Sequence, residues 1–148
     1  MAPWGFETFQ DELACDWLED LFDSDPIAFL RHCLDLEQLD YIEYLAGIGV
    51  LCSAEIIHGL CAQPRACLPR LAKDWLVNFR DLDVSNLLSS AISGMDRVIG
   101  TKSELRERWE DNEQWGEEWF RHQAELMQLL RRDQQTWIDA SLNQPREA

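Results

Sequence analysis

Residues 45–62 read L-A-G-I-G-V-L-C-S-A-E-I-I-H-G-L-C-A and are apolar almost all round. A helix of this composition has no side to turn toward water, so other elements must enclose it. Gly47, Gly49 and Gly59 lower its intrinsic helicity but let neighbouring helices approach closely. The rest of the chain therefore has to supply a shell.

That shell is written with helical spacing nearly everywhere. Leu13, Ala14, Trp17, Leu18, Leu21 and Phe22 share one face, and Asp16, Glu19, Asp20 and Asp23 share the other. This spacing predicts a helix opened by Thr8 or Gln10, with Asp11 and Glu12 in its first turn. Asp25-Pro26 is an N-cap followed by a proline at the first helical position, with Ile27, Leu30 and Leu34 inward. Residues 35–44 fit neither period. Pro64 and Pro69 break the chain, and Leu71, Trp75, Leu76 and Phe79 predict a short helix with those residues inward. The next helix is bounded by Asp83 and Gly100, with a stripe of Val84, Leu87, Leu88, Ala91, Ile92, Met95 and Val98. T-K-S-E matches a capping box, with Thr101 as cap, Glu104 at the third helical position, and Leu105 and Trp109 buried. A last helix is expected from about Asp111 into the 130s, with Trp115, Trp119, His122, Leu126 and Leu130 inward. The fold expected is all-α: a single compact bundle of six or seven helices over residues 1–140, with 45–62 at its centre and a frayed tail over 141–148.

An apolar fraction of 46%, with seven Trp and six Phe, is too rich for a disordered chain. The net charge of −15 is unevenly spread. Residues 1–44 contribute −11, with Arg31 their lone base, residues 45–100 contribute 0, and residues 101–148 contribute −4. No basic patch is dense enough to follow a phosphate backbone, so nucleic acid is not an expected partner. A basic protein partner is, unless the charge serves solubility alone. The sequence opens without a positively charged segment leading into an apolar core, and no uncharged apolar run reaches the length of a membrane span. Five cysteines without paired short spacings fit buried, reduced thiols and a cytoplasmic location.

The central segment carries Cys52, Glu55, His58 and Cys61. Glu55-x-x-His58 is the spacing of di-metal bundles, which need that pair twice, and it occurs once here. A zinc site from Cys52, His58, Cys61 and Cys67 fails on helical geometry. Cys52 lies about 120° around a helix from His58 and about 180° from Cys61. Neither a cofactor motif nor a catalytic one stands out: G-x-S-x-G, H-E-x-x-H and a glycine-rich phosphate loop are all absent. A carboxylate inside an apolar helix has to be paired or hydrogen-bonded. Glu55 is therefore expected in a structural polar cluster with Arg97, or with the indole N–H of Trp17 or Trp109.

Blocks at both ends carry a family resemblance. Trp4, Gly5 and Phe9 lead into D-E-L-A-C-D-W-L, with Asp11, Ala14, Asp16, Trp17 and Leu18; later, R-V-I-G-T-K-S-E-L-R-E-R-W-E supplies Arg97, Val98, Ser103, Glu104, Leu105, Trp109 and Glu110. Between them A-E-I-I carries Glu55. Over about residues 1–132 the chain resembles a bacterial family described as domain of unknown function 4259. Glu7 stands where that family usually has Gly, and Asp11 where it tends to have Asn. The resemblance implies a small helical bacterial protein and no activity.

Two functional readings follow. One is a non-catalytic acidic interaction protein, in its most specific form an immunity or inhibitor protein against a basic toxin, docking through the acidic N-terminal third. The alternative is a metal-binding or hydrolytic helical bundle using Glu55 and His58.

Overall fold

The computed structural model describes residues 3–143. Among them the chain forms seven α-helices: α1 Glu12–Phe22, α2 Pro26–Leu34, α3 Tyr44–Cys61, α4 Arg70–Asn78, α5 Leu88–Ile99, α6 Glu104–Glu110 and α7 Gly116–Leu142. A 3-10 turn, Ser85–Leu87, precedes α5. The expected all-α bundle around a central apolar helix is what the structure shows. Helix α3 packs against every one of the other six. It is also long and apolar enough to cross a membrane, but 78% of it is buried within the bundle.

Four elements begin elsewhere than the sequence pattern suggests, α7 among them, each for a hydrogen-bonding reason. Helix α1 is capped by Asp11, whose Oδ1 accepts from the Leu13 N–H at 2.8 Å. Neither Thr8 nor Gln10 opens it, because Asp11 takes the extended backbone and short acceptor that a cap requires. Asp83 accepts from the Ser85 N–H at 3.0 Å, a turn that leads into the 3-10 segment rather than into α5, with Val84 at the N-cap position of that segment. The T-K-S-E box shifts by two residues. Ser103 caps α6, accepting from the Arg106 N–H, while Thr101 is exposed and Glu104 becomes the first helical residue.

Glu104 is thereby free to act on another helix. Its Oε1 accepts from the Tyr44 N–H, the first of α3, at 3.0 Å, while Glu43 makes no side-chain cap there. The backbone reinforces this junction. Ile42 N–H donates to the Lys102 carbonyl and Glu104 N–H to the Ile42 carbonyl, both at 2.9 Å. The ambiguous residues 35–44 are thus a turn-rich connector, and Arg97 pins them by donating to the Leu36 carbonyl at 2.6 Å and to that of Leu39.

Close approach explains two glycines. A Cβ at Gly47 would lie 2.5 Å from Leu105 Cδ1, where α6 meets α3. A Cβ at Gly116 would lie 2.4 Å from the Trp109 carbonyl oxygen, so the turn into α7 could not pass α6. This turn, held by Asn112 accepting from the Trp115 N–H at 2.8 Å, delays α7 from Asp111 to Gly116. In α4 the buried positions are Ala72, Trp75 and Leu76, the true i, i+3, i+4 set. Leu71 falls off that face and is exposed, as is Phe79, which stacks on Trp75 at 4.4 Å. Helix α7 runs through Leu142, so the expected tail begins as helix, and residues 144–148 lie outside those described.

Removing the cross-helix cap with Glu104→Ala is expected to cost about 1–2 kcal/mol. Thr101→Ala should stay within about 0.5 kcal/mol. Urea denaturation of the two variants distinguishes the caps.

Candidate functional site

The polar chemistry of the core gathers on the inner half of α3. Glu55 is fully enclosed, and its partner comes from the α3–α4 connection. Arg65 donates from Nε to Glu55 Oε1 at 2.8 Å, and its Nη2 donates to the same oxygen. The guanidinium spans onward to α7, where Nη1 donates to the His122 carbonyl at 2.9 Å and Nη2 approaches His122 Nε2 at 3.0 Å. The Thr8 N–H faces the same ring nitrogen at 3.4 Å. Arg65 Nη1 also approaches Nδ1 at 3.3 Å, so donors face both nitrogens of the ring. Cys67 completes the group, with Sγ 3.8 Å from Glu55 Oε2.

Burial shapes the charges. It pushes the Glu55 carboxyl above its ordinary pKa of 4.5, against the charge and hydrogen bonds of Arg65, which hold it down. Burial together with the Arg65 charge lowers His122 from 6.5 to about 4, so the ring is neutral. Burial, and next the Glu55 charge, raises the Cys67 thiol to about 12. Glu55, Cys67 and His122 each present a donor atom within 4.8 Å of the other two.

His58, one turn beyond Glu55, goes elsewhere. Its Nδ1 lies 2.6 Å from Asp133 Oδ2 on α7, and both side chains are buried. Glu55 and His58 thus have separate partners and do not converge on one centre. The Glu55 cluster differs from the expected one in membership. Arg97 lies at the α5 end of the bundle, engaged with the connector carbonyls. Trp17 donates its indole N–H to Cys33 Sγ at 3.4 Å, and Trp109 stacks on Trp119 at 5.6 Å. The sequence clue to Arg65 is its place in the tight Pro64–Pro69 connection just after α3. Arg97 sits at the far end of an apolar helix, and only the packing direction of α5 excludes it. Cys52 is buried within α3 and Cys61 is exposed at its end.

A second junction surrounds the start of α3. The Tyr44 hydroxyl donates to Asp11 Oδ2, Glu104 caps Tyr44, Arg108 pairs with Glu104 at 2.7 Å, and its guanidinium lies 4.9 Å over the Tyr44 ring. Burial and the Asp11 contact push the Tyr44 hydroxyl well above its ordinary pKa. Phe9, Ser103, Leu105 and Trp109 are buried around this junction, whereas Trp4 is 56% exposed and Asp16 faces solvent. Most of the motif residues from both ends of the chain thus meet at one place.

A family model described as domain of unknown function (DUF4259) matches residues 3–122. The chain belongs to this family. No curated protein and no solved structure matches it. The DUF4259 match contains every member of the Glu55–Arg65–Cys67–His122 cluster and ends on His122, while Asp133 lies beyond it.

A groove of about 810 Å³ between α2 and α5 is lined by Arg31, His32, Ser89, Ser93 and Arg97 among others and lies away from this cluster. It holds no buried ionisable group, so the chemistry points to the cluster.

Arg65→Gln leaves the Glu55 carboxylate buried without its counter-charge and is expected to cost about 3–5 kcal/mol. The double variant Glu55→Gln/Arg65→Gln should recover about half of that or more, because no lone charge remains. Chemical denaturation of both measures the difference. His122 gives a pH dependence of defined sign. Its folded pKa of about 4 lies below the ordinary 6.5, so the unfolded chain binds the proton first. The stabilisation is complete above about pH 6.5 and is lost toward pH 4, by up to about 3 kcal/mol. Glu55, shifted upward, takes its proton earlier in the fold and offsets part of that loss. His122→Gln should flatten the stability profile across this window.

Proposed function

We propose that this DUF4259 chain is a non-catalytic, acidic interaction protein that docks a basic partner through its N-terminal third. The observation that carries this reading is the state of the charges there. Of the acidic residues between 1 and 44, all but Glu7 and Asp11 are exposed. Among the described residues none of them is ion-paired. Elsewhere several carboxylates are matched, Glu110 with Arg106, Glu104 with Arg108 and Asp96 with Arg131, although among the same described residues Glu113, Glu117 and Glu118 near the start of α7 are not. Unmatched surface charge of one sign steers an oppositely charged partner and raises its association rate. An immunity or inhibitor role against a basic toxin is the specific form of this reading. Free cysteines throughout, with Cys61 exposed, support a reducing cytoplasmic setting.

The test is capture of basic proteins from host lysate, followed by kinetics with the captured partner. Reversing Asp16, Glu19 and Asp20 to Lys is expected to slow association about tenfold or more at low salt, with the difference shrinking at high salt. Reversing Glu113, Glu117 and Glu118 should leave association within about twofold. Consistent absence of a salt-sensitive basic partner, or equal loss in both variants, sinks the proposal.

A further inference from the structure

We infer that Glu55, Cys67 and His122 form a binding site for a soft divalent cation, zinc by preference, and that Arg65 fills this site in the metal-free protein. The three donors come from three separate elements: α3, the α3–α4 connection and α7. No other such group of His, Cys, Asp or Glu converges among the described residues. Carboxylate oxygen, thiol sulfur and imidazole nitrogen together are a zinc donor set, with three protein ligands and a fourth position left open. A thiolate ligand also discriminates against magnesium and calcium, which take oxygen donors.

The contacts around Arg65 show how the exchange is built. A guanidinium already occupies the place of a cation, bonded to Glu55 Oε1 and close to His122 Nε2. Arg65 and Cys67 are two residues apart on one short connection, so a shift that withdraws the guanidinium brings the sulfur nearer. An alternative partner stands ready at the rim. Glu125, 60% exposed on α7, has Oε2 4.0 Å from Arg65 Nη1. Tetrahedral zinc with bonds of about 2.0–2.3 Å holds its ligand atoms about 3.3–3.8 Å apart. The donor atoms lie within 4.8 Å of one another, with Cys67 Sγ already 3.8 Å from Glu55 Oε2, so closing the group needs movements of about 1.5 Å at most.

Charge and protons balance. Before exchange, the Glu55 carboxylate is matched by the Arg65 guanidinium, and the thiol and imidazole are neutral. Afterwards the divalent ion is matched by the Glu55 carboxylate and the Cys67 thiolate. Arg65 is matched by Glu125, and the thiol proton leaves to solvent. The buried site stays neutral in both states, so the exchange strands no charge in the core.

The test uses the full chain purified without a histidine tag and stripped of metal. Cobalt(II) is titrated in as a spectroscopic probe, then zinc. Expected are one cobalt per chain with a thiolate-to-cobalt charge-transfer absorption, displacement by zinc, and release of about one proton per ion measured by calorimetry in two buffers. Cys67→Ser should abolish the absorption and weaken binding about tenfold or more, while Cys61→Ser should retain both. Glu125→Gln, at the surface and away from the core, should weaken binding severalfold by removing the acceptor for Arg65. No thiolate absorption in folded wild-type protein at saturating cobalt overturns the proposal. So does an absorption that survives Cys67→Ser, or a thermal shift with magnesium as large as that with zinc.

Discussion

Glu55 sits where α3 has no access to water, and its carboxylate is held by a guanidinium that the next connection sends back across the helix. An isolated ionised carboxylate there would cost several kcal/mol of desolvation, so the pairing is a condition of the fold. It also sets the path of the chain. The connection around Pro64 must bring Arg65 over the inner half of α3, and from there the same side chain reaches the His122 carbonyl on α7. One guanidinium thus ties together three segments that the hydrophobic effect, being non-directional, would leave free to slide. His58 and Asp133 add a second buried tie between α3 and α7. The two pairs give direction to an interface that is otherwise apolar.

The beginning of α3 shows the same economy. The first N–H groups of a buried helix need acceptors, and Glu43 in front of it supplies none from its side chain. The acceptor comes from α6, through Glu104. Because Glu104 is itself the first residue of α6, its carboxylate sits near the positive ends of two helices at once. Gly47 allows the two to approach closely enough for this, with Leu105 packed against its Cα. Asp11 works likewise, capping α1 with one oxygen and receiving the Tyr44 hydroxyl with the other. The blocks at either end of the chain that carry the resemblance are therefore largely the two halves of one capping junction.

This explains what could be read from residues alone. Helices α1, α2, α5 and α7 were legible because their apolar stripes follow a local period. Asp25-Pro26 was legible because its cap lies three residues from its target, with Asp25 Oδ2 accepting from the Ala28 N–H at 3.1 Å. Glu104 misled for the converse reason. Its spacing from Thr101 satisfies a local rule, but a partner 60 residues away in sequence competes for the same carboxylate and wins. That Glu55 needs a charged or hydrogen-bonding partner followed from its surroundings. Which arginine supplies it depends on the direction in which α5 runs past α3, and no local pattern encodes that. The convergence of Cys67 with His122 was hidden the same way, since 55 residues separate them and only the Arg65-led path of the connection joins them.

The interior and the surface handle charge by opposite rules. Inside, the buried carboxylates each have a partner close by: Glu55 with Arg65, Asp133 with His58, Asp11 with Tyr44. Such pairs lie in a low dielectric and are only weakly screened by salt. On α1 the exposed carboxylates Glu12, Asp16, Glu19 and Asp20 repel one another with no ion-pair partner among the described residues, which weakens the compact state. Helix α1 holds against that repulsion through Ala14, Trp17, Leu18 and Leu21, which are packed into the core, with Trp17 tilted against Phe29 of α2 at 5.3 Å. Apart from the Asp25 cap of α2 and Glu12 in the first turn of α1, this surface charge adds repulsion that the packing of α1 has to outweigh. This uncompensated charge is the feature on which the proposed docking role rests, and the packing beneath it does not require it.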